Sequence, residues 1–272
     1  MPDSSFSSTA PVGRSPRLFE FHEATWAPRV LRESVVEVLG LTMRLGGITA
    51  ALATQYRALV EASGTRQVLE LASGSGETSA DLHARAGFRS PSGVMLIFSD
   101  LAPRQGHWAG IGERYSVAVQ TVGEPVDATE VPAELGAGRV WLVVNAFHHL
   151  AFDQAAALLG RAAQSASGIF IAENFGANML ATLPCGVVGM LAAFLNPALT
   201  GRDRVSKAVF TYLIPLIPLI VAWDGLVSAL RMHRPADVQS MIAPWPAWEW
   251  ELREFKYLWL GRGTVLIGHP RV

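Results

Sequence analysis

The run Val68-Leu69-Glu70-Leu71-Ala72-Ser73-Gly74-Ser75-Gly76-Glu77-Thr78 constrains this chain more than any other feature. Residues 67–71 read as a buried apolar strand, 72–76 as a Gly/Ser turn, and 77–85 as a helix. Two glycines one residue apart let the backbone turn sharply and let a ligand approach its N–H groups. The helix behind the turn offers further unsatisfied N–H groups and the positive end of its dipole. A branched side chain at Gly76 is expected to enter the space that ligand needs.

The alternation continues downstream. Residues 94–98 predict a second buried strand, 115–121 a third, 139–144 a fourth, and 168–172 a fifth, with a helix across 152–164. Strands alternating with helices predict a doubly wound, parallel α/β sheet. Ligands of such sheets lie outside the carboxyl ends of the strands. Upstream, Trp26, Val30, Leu31, Val35, Val38 and Leu39 recur at helical steps over 19–40, with Pro28 suited to an N-terminal helical position. A second helix is expected over 48–62. Residues 1–16 are rich in Ser, Thr, Pro and Gly, lack the basic start and apolar run of a secretory signal, and read as a disordered arm.

The pattern breaks after Glu173. Residues 174–201 and 208–223 carry no formal charge. They absorb the excess of a chain that is 50% hydrophobic and only 17% charged, against about 25% charged in an average soluble domain. A spanning helix needs about 20 apolar residues. Residues 179–199 have the length but contain Pro184, Gly186, Gly189, Asn196 and Pro197, and 208–223 is shorter with two prolines. The expectation is a pair of buried or lid-like helices over the site, which suits a hydrophobic acceptor such as a lipid, a quinone-like aromatic or a polyketide. Shallow membrane attachment through this insertion and a homodimer interface are the open alternatives. Asp224 reads as the N-cap of a helix to about 233, and Pro235 opens another to 242. Residues 248–256 and 264–267 read as two closing strands.

A net charge of −1, from 22 basic and 23 acidic residues with no basic run, argues against nucleic acid as a partner. Cys185 is alone, which excludes an intrachain disulfide and a multi-cysteine zinc site. A reducing compartment fits, so the expectation is a cytoplasmic protein, with the inner face of the membrane as the place for any peripheral attachment. His148 and His149 are adjacent, and the other five histidines have no ligand-like spacing, so no metal is expected. Only Lys207 and Lys256 are lysines, a ratio that suggests a GC-rich bacterial genome.

The form E-x-x-x-G-x-G after an apolar strand, Glu70 to Gly76, resembles the first motif of class I S-adenosylmethionine-dependent methyltransferases, in particular bacterial small-molecule members. A dinucleotide fingerprint would have a third glycine where Ser79 stands. The resemblance implies that Glu70 organises the loop around the methionine moiety of the cofactor, which lies along Ala72, Ser73, Gly74 and Gly76. Many members have Gly-Cys or Gly-Ala at the positions of Ala72-Ser73. It implies that Asp100, closing the second strand with Leu101 beside it, accepts both ribose hydroxyls. Asp127 would stand near the adenine amino group, with Val126 against the ring.

The fourth strand ends in Asn145-Ala146-Phe147-His148-His149, which is similar to the family's fourth motif and would face cofactor sulfur and substrate. Asn145, His148 and His149 are its implied catalytic residues; an asparagine can bond in either direction and a histidine can take a proton near neutral pH. The last two strands resemble the sixth strand and the antiparallel seventh of this fold. The implied layout is the arm at 1–16, an N-terminal helical lid at 17–62, a cofactor-binding core at 63–175 and 245–272, and an apolar helical insertion at 176–244. The implied activity is methyl transfer from S-adenosylmethionine to a hydrophobic small molecule or lipid-like acceptor. The alternative is a scaffold, cyclase-like enzyme or partner subunit that binds the cofactor without transferring methyl.

Overall fold

The computed structural model of the chain describes residues 18–91, 93–176, 179–201, 203–258 and 261–271; the expected arm at 1–16 lies outside them. Two helices lead, α1 (Arg29–Leu45) and α2 (Ile48–Ala62). The chain then alternates through β1 (Gln67–Glu70), α3 (Glu77–Arg85), β2 (Met95–Phe98), α4 (Gln105–Trp108), α5 (Ile111–Tyr115) and β3 (Ala118–Thr121). It continues through α6 (Ala133–Gly136), β4 (Val140–Val144), α7 (Phe152–Ser165) and β5 (Gly168–Glu173). Helices α8 (Met179–Leu199), α9 (Arg204–Ala208), α10 (Leu216–Arg231) and α11 (Pro235–Ile242) follow, before β6 (Trp248–Tyr257) and β7 (Gly261–Pro270).

The seven strands make one sheet in the order β3-β2-β1-β4-β5-β7-β6. The first five are parallel, and β7 runs antiparallel between β5 and β6, with Ile171 opposite Leu266. A parallel sheet covered by helices on both faces needs strands that are apolar on both sides. Val140–Val144 and Gly168–Glu173 are runs of that kind, and β5 is buried along its whole length. Tyr56, Leu82, Phe98 and Phe170 pack one face. Trp141, Leu158, Leu159, Ile169 and Leu266 pack the other.

A third cluster joins the front of the chain to the segment between β5 and β6. Leu31, Val38 and Leu41 of α1 bury against Ala192 and Ala193 of α8 and Ile217 and Ile220 of α10. The opposite face of these helices is apolar and open. Leu183, Val187, Leu191 and Phe194 form an exposed stripe at three- and four-residue steps on α8, continued by Tyr212, Leu213, Ile214 and Leu219. No single helix among the described residues is long and apolar enough to cross a membrane.

Several expected boundaries move. The first helix starts at Arg29; Phe21–Glu23 is a single 3-10 turn, and Pro28, which biases the residue before it away from the helical region, occupies the N-cap. The third strand starts at Ala118 because Ile111–Tyr115 is helical and ends at Ser116 with φ 56°. Asp224 is no N-cap. Helix α10 begins at Leu216, with Pro218 tolerated in its first turn. The Asp224 carboxylate instead accepts the backbone N–H groups of Phe21 (2.8 Å) and His22 (3.1 Å).

Candidate active site

The turn after β1 is held in an unusual backbone state. Ala72, Gly74 and Gly76 have φ of 55°, 53° and 75°. Left-handed φ is open to glycine and costs any other residue about 1–2 kcal/mol, so Ala72 stands where most residues would be strained. Ser73 fastens the turn to the end of β2. Its N–H donates to the Ser99 carbonyl (3.0 Å), and its hydroxyl accepts the Ser99 N–H (3.1 Å).

The two glycines do different work. A Cβ on Gly76 would lie 2.9 Å from Phe98 Cζ and 3.2 Å from Ile111 Cδ1, so Gly76 lets the turn settle onto β2 and α5. A Cβ on Gly74 would meet nothing within 4 Å. The open space expected at Gly76 is therefore at Gly74. The Gly74 N–H donates to Asp100 Oδ2 (2.8 Å), and its carbonyl accepts the indole N–H of Trp108 (3.1 Å).

Asp100 closes β2 and uses both oxygens, Oδ2 on Gly74 and Oδ1 on the Ala102 N–H (2.9 Å). Its backbone carbonyl accepts the N–H of Val126 (2.9 Å), which brings the buried Val126 to the same edge. Leu101 beside it is 66% exposed. Asp127 is exposed and accepts the N–H and hydroxyl of Thr129, both at 2.7 Å.

Glu70 lies deeper than the turn. Its Oε2 accepts the Ser79 hydroxyl at 2.5 Å, so the residue at the third-glycine position of a dinucleotide motif here serves the strand-end acid. Burial pushes the Glu70 carboxyl up to about 8, against the lowering effect of hydrogen bonds from Ser79 and Ser73. Helix α5 ties α1 to the start of α3: Arg44 Nη1 of α1 donates to the Tyr115 hydroxyl (3.2 Å), and Arg114 pairs with Glu77 of α3.

At the end of β4, Asn145 takes φ 50° and is buried. Both ends of its amide are engaged. Oδ1 accepts the Asn174 N–H (2.8 Å) and Nδ2 donates to Met43 Sδ of α1 (3.1 Å). The next turn, Phe147–His149, rests on Glu173 at the end of β5, whose Oε1 accepts the N–H groups of Phe147 (2.8 Å) and His148 (3.2 Å). Glu173 Oε2 lies 2.7 Å from His148 Nδ1. Burial opposes charge on both, but the pair's attraction and hydrogen bond win, holding His148 above the usual imidazole range and Glu173 below the carboxylate range. His148 Nε2 is buried without a partner among the described residues. Phe147, His148, Glu173, Met232, His233 and Thr264 line a small cavity beside this pair.

His149 reaches the N-terminal segment. Its Nδ1 lies 2.9 Å from Glu23 Oε1, and its Nε2 is 3.9 Å from Glu20 Oε2. The His149 hydrogen bond holds Glu23 down at about 2. The fold thus gathers Glu70, Ala72, Ser73, Gly74, Gly76, Asp100, Leu101 and Val126 at one edge, with Asp127 in the adjoining loop. It sets Asn145, His148 and His149 at the ends of β4 and β5. Glu173, Trp108, Met43 and the acids at 20, 23 and 224 escaped sequence reasoning. Only Glu173 carried a local signal, as an acid at the carboxyl end of a buried strand.

No family model matches this sequence, and no curated protein matches it. Among solved structures, the magnesium protoporphyrin IX methyltransferase of Synechocystis, with SAH bound, is 12% identical with a TM-score of 0.46, covering 92% of this chain and 91% of that one. The mitomycin 7-O-methyltransferase is 14% identical with a TM-score of 0.45, over 85% of this chain and 56% of that one. An O-methyltransferase family protein of Burkholderia thailandensis is 16% identical with a TM-score of 0.43, over 82% and 58%. The chain spans little more than half the length of the last two. The fold assignment rests on the sheet itself and not on these likenesses. Its strand order and antiparallel last strand are those of the class I S-adenosylmethionine-dependent methyltransferase fold.

Proposed function

We propose that this chain is an S-adenosylmethionine-dependent methyltransferase acting on a hydrophobic small molecule or lipid-like acceptor. The observation that carries the reading is the open backbone at Gly74, held by Asp100 at the carboxyl edge of β1 and β2. Ligands of doubly wound sheets lie at that edge. The start of α3 adds a positive dipole end for the carboxylate of an amino-acid moiety. We assign Glu70, Ala72, Ser73, Gly74, Gly76, Asp100, Leu101, Val126 and Asp127 to the cofactor. Asn145, His148 and His149 belong to the acceptor side. Rate would come from holding acceptor and methyl group in line and from excluding water. The α1–α8–α10 layer supplies the exclusion in this reading.

The hydrophobic acceptor is supported by the open apolar face of the same layer. Over 174–201 and 208–223 that layer has no charge to complement a polar partner. We infer that it rests on the cytoplasmic face of a bilayer, from which an apolar acceptor would be drawn. Incubation with methyl-labelled cofactor and a lipid or cell extract tests the activity: label should appear in an organic-soluble product. Tight cofactor binding with no labelled product would favour a scaffold or cyclase-like role. A concentration-dependent dimer with no vesicle binding would give the apolar face to a second copy of the chain.

A further inference from the structure

Three segments far apart in the chain bring nitrogen and oxygen ligands into overlapping groups of three that share Glu20, His22 and His149. His22 Nδ1 lies 3.3 Å from Glu20 Oε2 and 3.2 Å from Asp224 Oδ2. His149 Nε2 lies 3.9 Å from the same Glu20 oxygen. A ring nitrogen of His148 falls within 4.8 Å of a ligand atom on each of Glu20 and His149. Ligand atoms about 2.0–2.2 Å from a tetrahedral dication are roughly 3.4 Å from one another, and the 3.9 Å between His149 Nε2 and Glu20 Oε2 is a small contraction away from that spacing.

The surroundings orient these groups as metal sites orient theirs. A ligating histidine usually gives its other ring nitrogen to a carboxylate. His148 Nδ1 is held by Glu173 (2.7 Å) and His149 Nδ1 by Glu23 (2.9 Å). Each therefore has Nε2 to offer, and the Nε2 of His148, a residue only 4% exposed, has no hydrogen-bond partner among the described residues. Glu20 is fixed in the same way, its Oε1 taken by Arg231 (3.1 Å) and Ser228 (3.2 Å) while Oε2 faces the imidazoles. Arg231 borders the group, with Nη1 also 3.2 Å from His149 Nδ1 and Nη2 donating to the Leu18 carbonyl (2.6 Å). The carboxylates of Glu20, Glu23, Glu173 and Asp224 lie about these imidazoles, with Glu20 and Glu23 paired to the Arg231 guanidinium and Glu173 to His148. Glu20 and Asp224 are almost fully buried, and His22 and His149 remain partly open to solvent, which leaves an entry path.

We propose that Glu20, His148 and His149 bind one first-row transition-metal dication of the zinc class, with His22 and Asp224 in an adjoining group that shares Glu20. Imidazole nitrogen mixed with carboxylate oxygen suits zinc, cobalt, nickel or iron(II) better than magnesium or calcium, which take all-oxygen sets. The ion ties the N-terminal segment to the turn after β4, on the acceptor side of the site. The inference stands on this geometry alone, whether or not methyl transfer is demonstrated.

Cobalt(II) is the probe, titrated into chelator-treated full-length protein and followed by its visible absorption, with zinc competition and elemental analysis of untreated protein. One cobalt per chain should bind at micromolar concentration or tighter, with an intense visible spectrum of four- or five-coordinate cobalt that zinc abolishes. Glu20→Gln and His149→Ala should each weaken binding at least about tenfold, and Glu23→Gln, which only orients His149, by about 10- to 100-fold. His269→Ala, on β7 with its ring nitrogen against the Pro270 carbonyl, should leave binding unchanged. Circular dichroism checks that each variant folds, and the partly exposed His149→Ala decides if Glu20→Gln does not fold. No binding by the parent, or undiminished binding by folded His149→Ala, overturns the proposal. S-adenosylmethionine titration of the same samples separates loss of the ion from loss of the cofactor site.

Discussion

Asp100 and Gly74 lock the turn after β1 to the neighbouring strand through one short bond, Gly74 N–H to Asp100 Oδ2 at 2.8 Å. The other oxygen of the same carboxylate holds the Ala102 N–H. These bonds use two of the carboxylate's roughly four lone-pair sites, so acceptor capacity remains for further donors. The acid is therefore at once the anchor of the turn and, in our reading, the recognition group for the ribose.

Asp100→Ala should lose both roles. Hydrogen bonds to a charged group contribute about 1.5–3 kcal/mol each, so S-adenosylmethionine affinity should fall roughly 10- to 150-fold. The melting temperature should fall as well, by about 2–4 °C for each kcal/mol lost. Asp100→Asn keeps one acceptor and should fall between. Asp127→Ala should cost less, because Asp127 is exposed and its bonds serve only Thr129. Calorimetric titration and thermal melts of the three variants give the order; parent-like affinity in Asp100→Ala reduces that residue to an anchor.

The glycines separate packing from binding. Gly76→Ala adds a Cβ against Phe98 and Ile111, so it should destabilise the fold by roughly 1–3 kcal/mol from overpacking, beyond the backbone strain. Gly74→Ala adds a methyl to open space. It should cost only the left-handed strain of about 1–2 kcal/mol while blocking cofactor. Denaturant melts and cofactor titrations of both variants test the split, which fails if Gly74→Ala binds like the parent.

Glu70 predicts a pH dependence of stability with a definite sign. Its carboxyl is raised by burial to about 8 in the folded chain from an ordinary value of 4.5. Between those values the folded chain keeps a proton that the unfolded chain has released, so stability falls as pH rises through the window. The slope is at most about 1.4 kcal/mol per pH unit. Glu70→Gln, which cannot ionise, should show a flatter profile between pH 5 and 8 in chemical denaturation. Identical slopes in parent and variant would mean that Glu70 is ionised in the fold.

The apolar layer predicts vesicle binding. Leu219 is 63% and Leu216 36% exposed on α10. A fully buried leucine is worth about 1.5–3 kcal/mol, so Leu219→Glu should weaken flotation with vesicles by at least about tenfold. Leu216→Glu, less exposed, should weaken it less. Near-parent far-ultraviolet dichroism in both variants would show the sheet intact. Absence of flotation by the parent would remove the membrane from the account.

How much of this was legible depended on whether a residue's role was local. The β1–turn–α3 unit and α2 (Ile48–Ala62) were readable because apolar period and glycine placement fix them within a few residues. The assignment of space between Gly74 and Gly76 was not, since Phe98 and Ile111 come from other elements. Asp224 looked like a helix cap because two prolines precede it, yet Pro218 fits a first turn and the helix begins at Leu216. Its carboxylate serves a segment some 200 residues earlier. The histidines show no ligand spacing in the sequence because residues 20–23, 148–149 and 224 meet only through the tertiary fold.

A calorimetric titration of the parent and Gly74→Ala tests whether the turn at Gly74 binds S-adenosylmethionine. The account predicts one cofactor per chain for the parent, no binding of a nicotinamide dinucleotide, and loss of cofactor binding in a Gly74→Ala variant that remains folded. Failure of the parent to bind S-adenosylmethionine, or parent-like binding by folded Gly74→Ala, would contradict it.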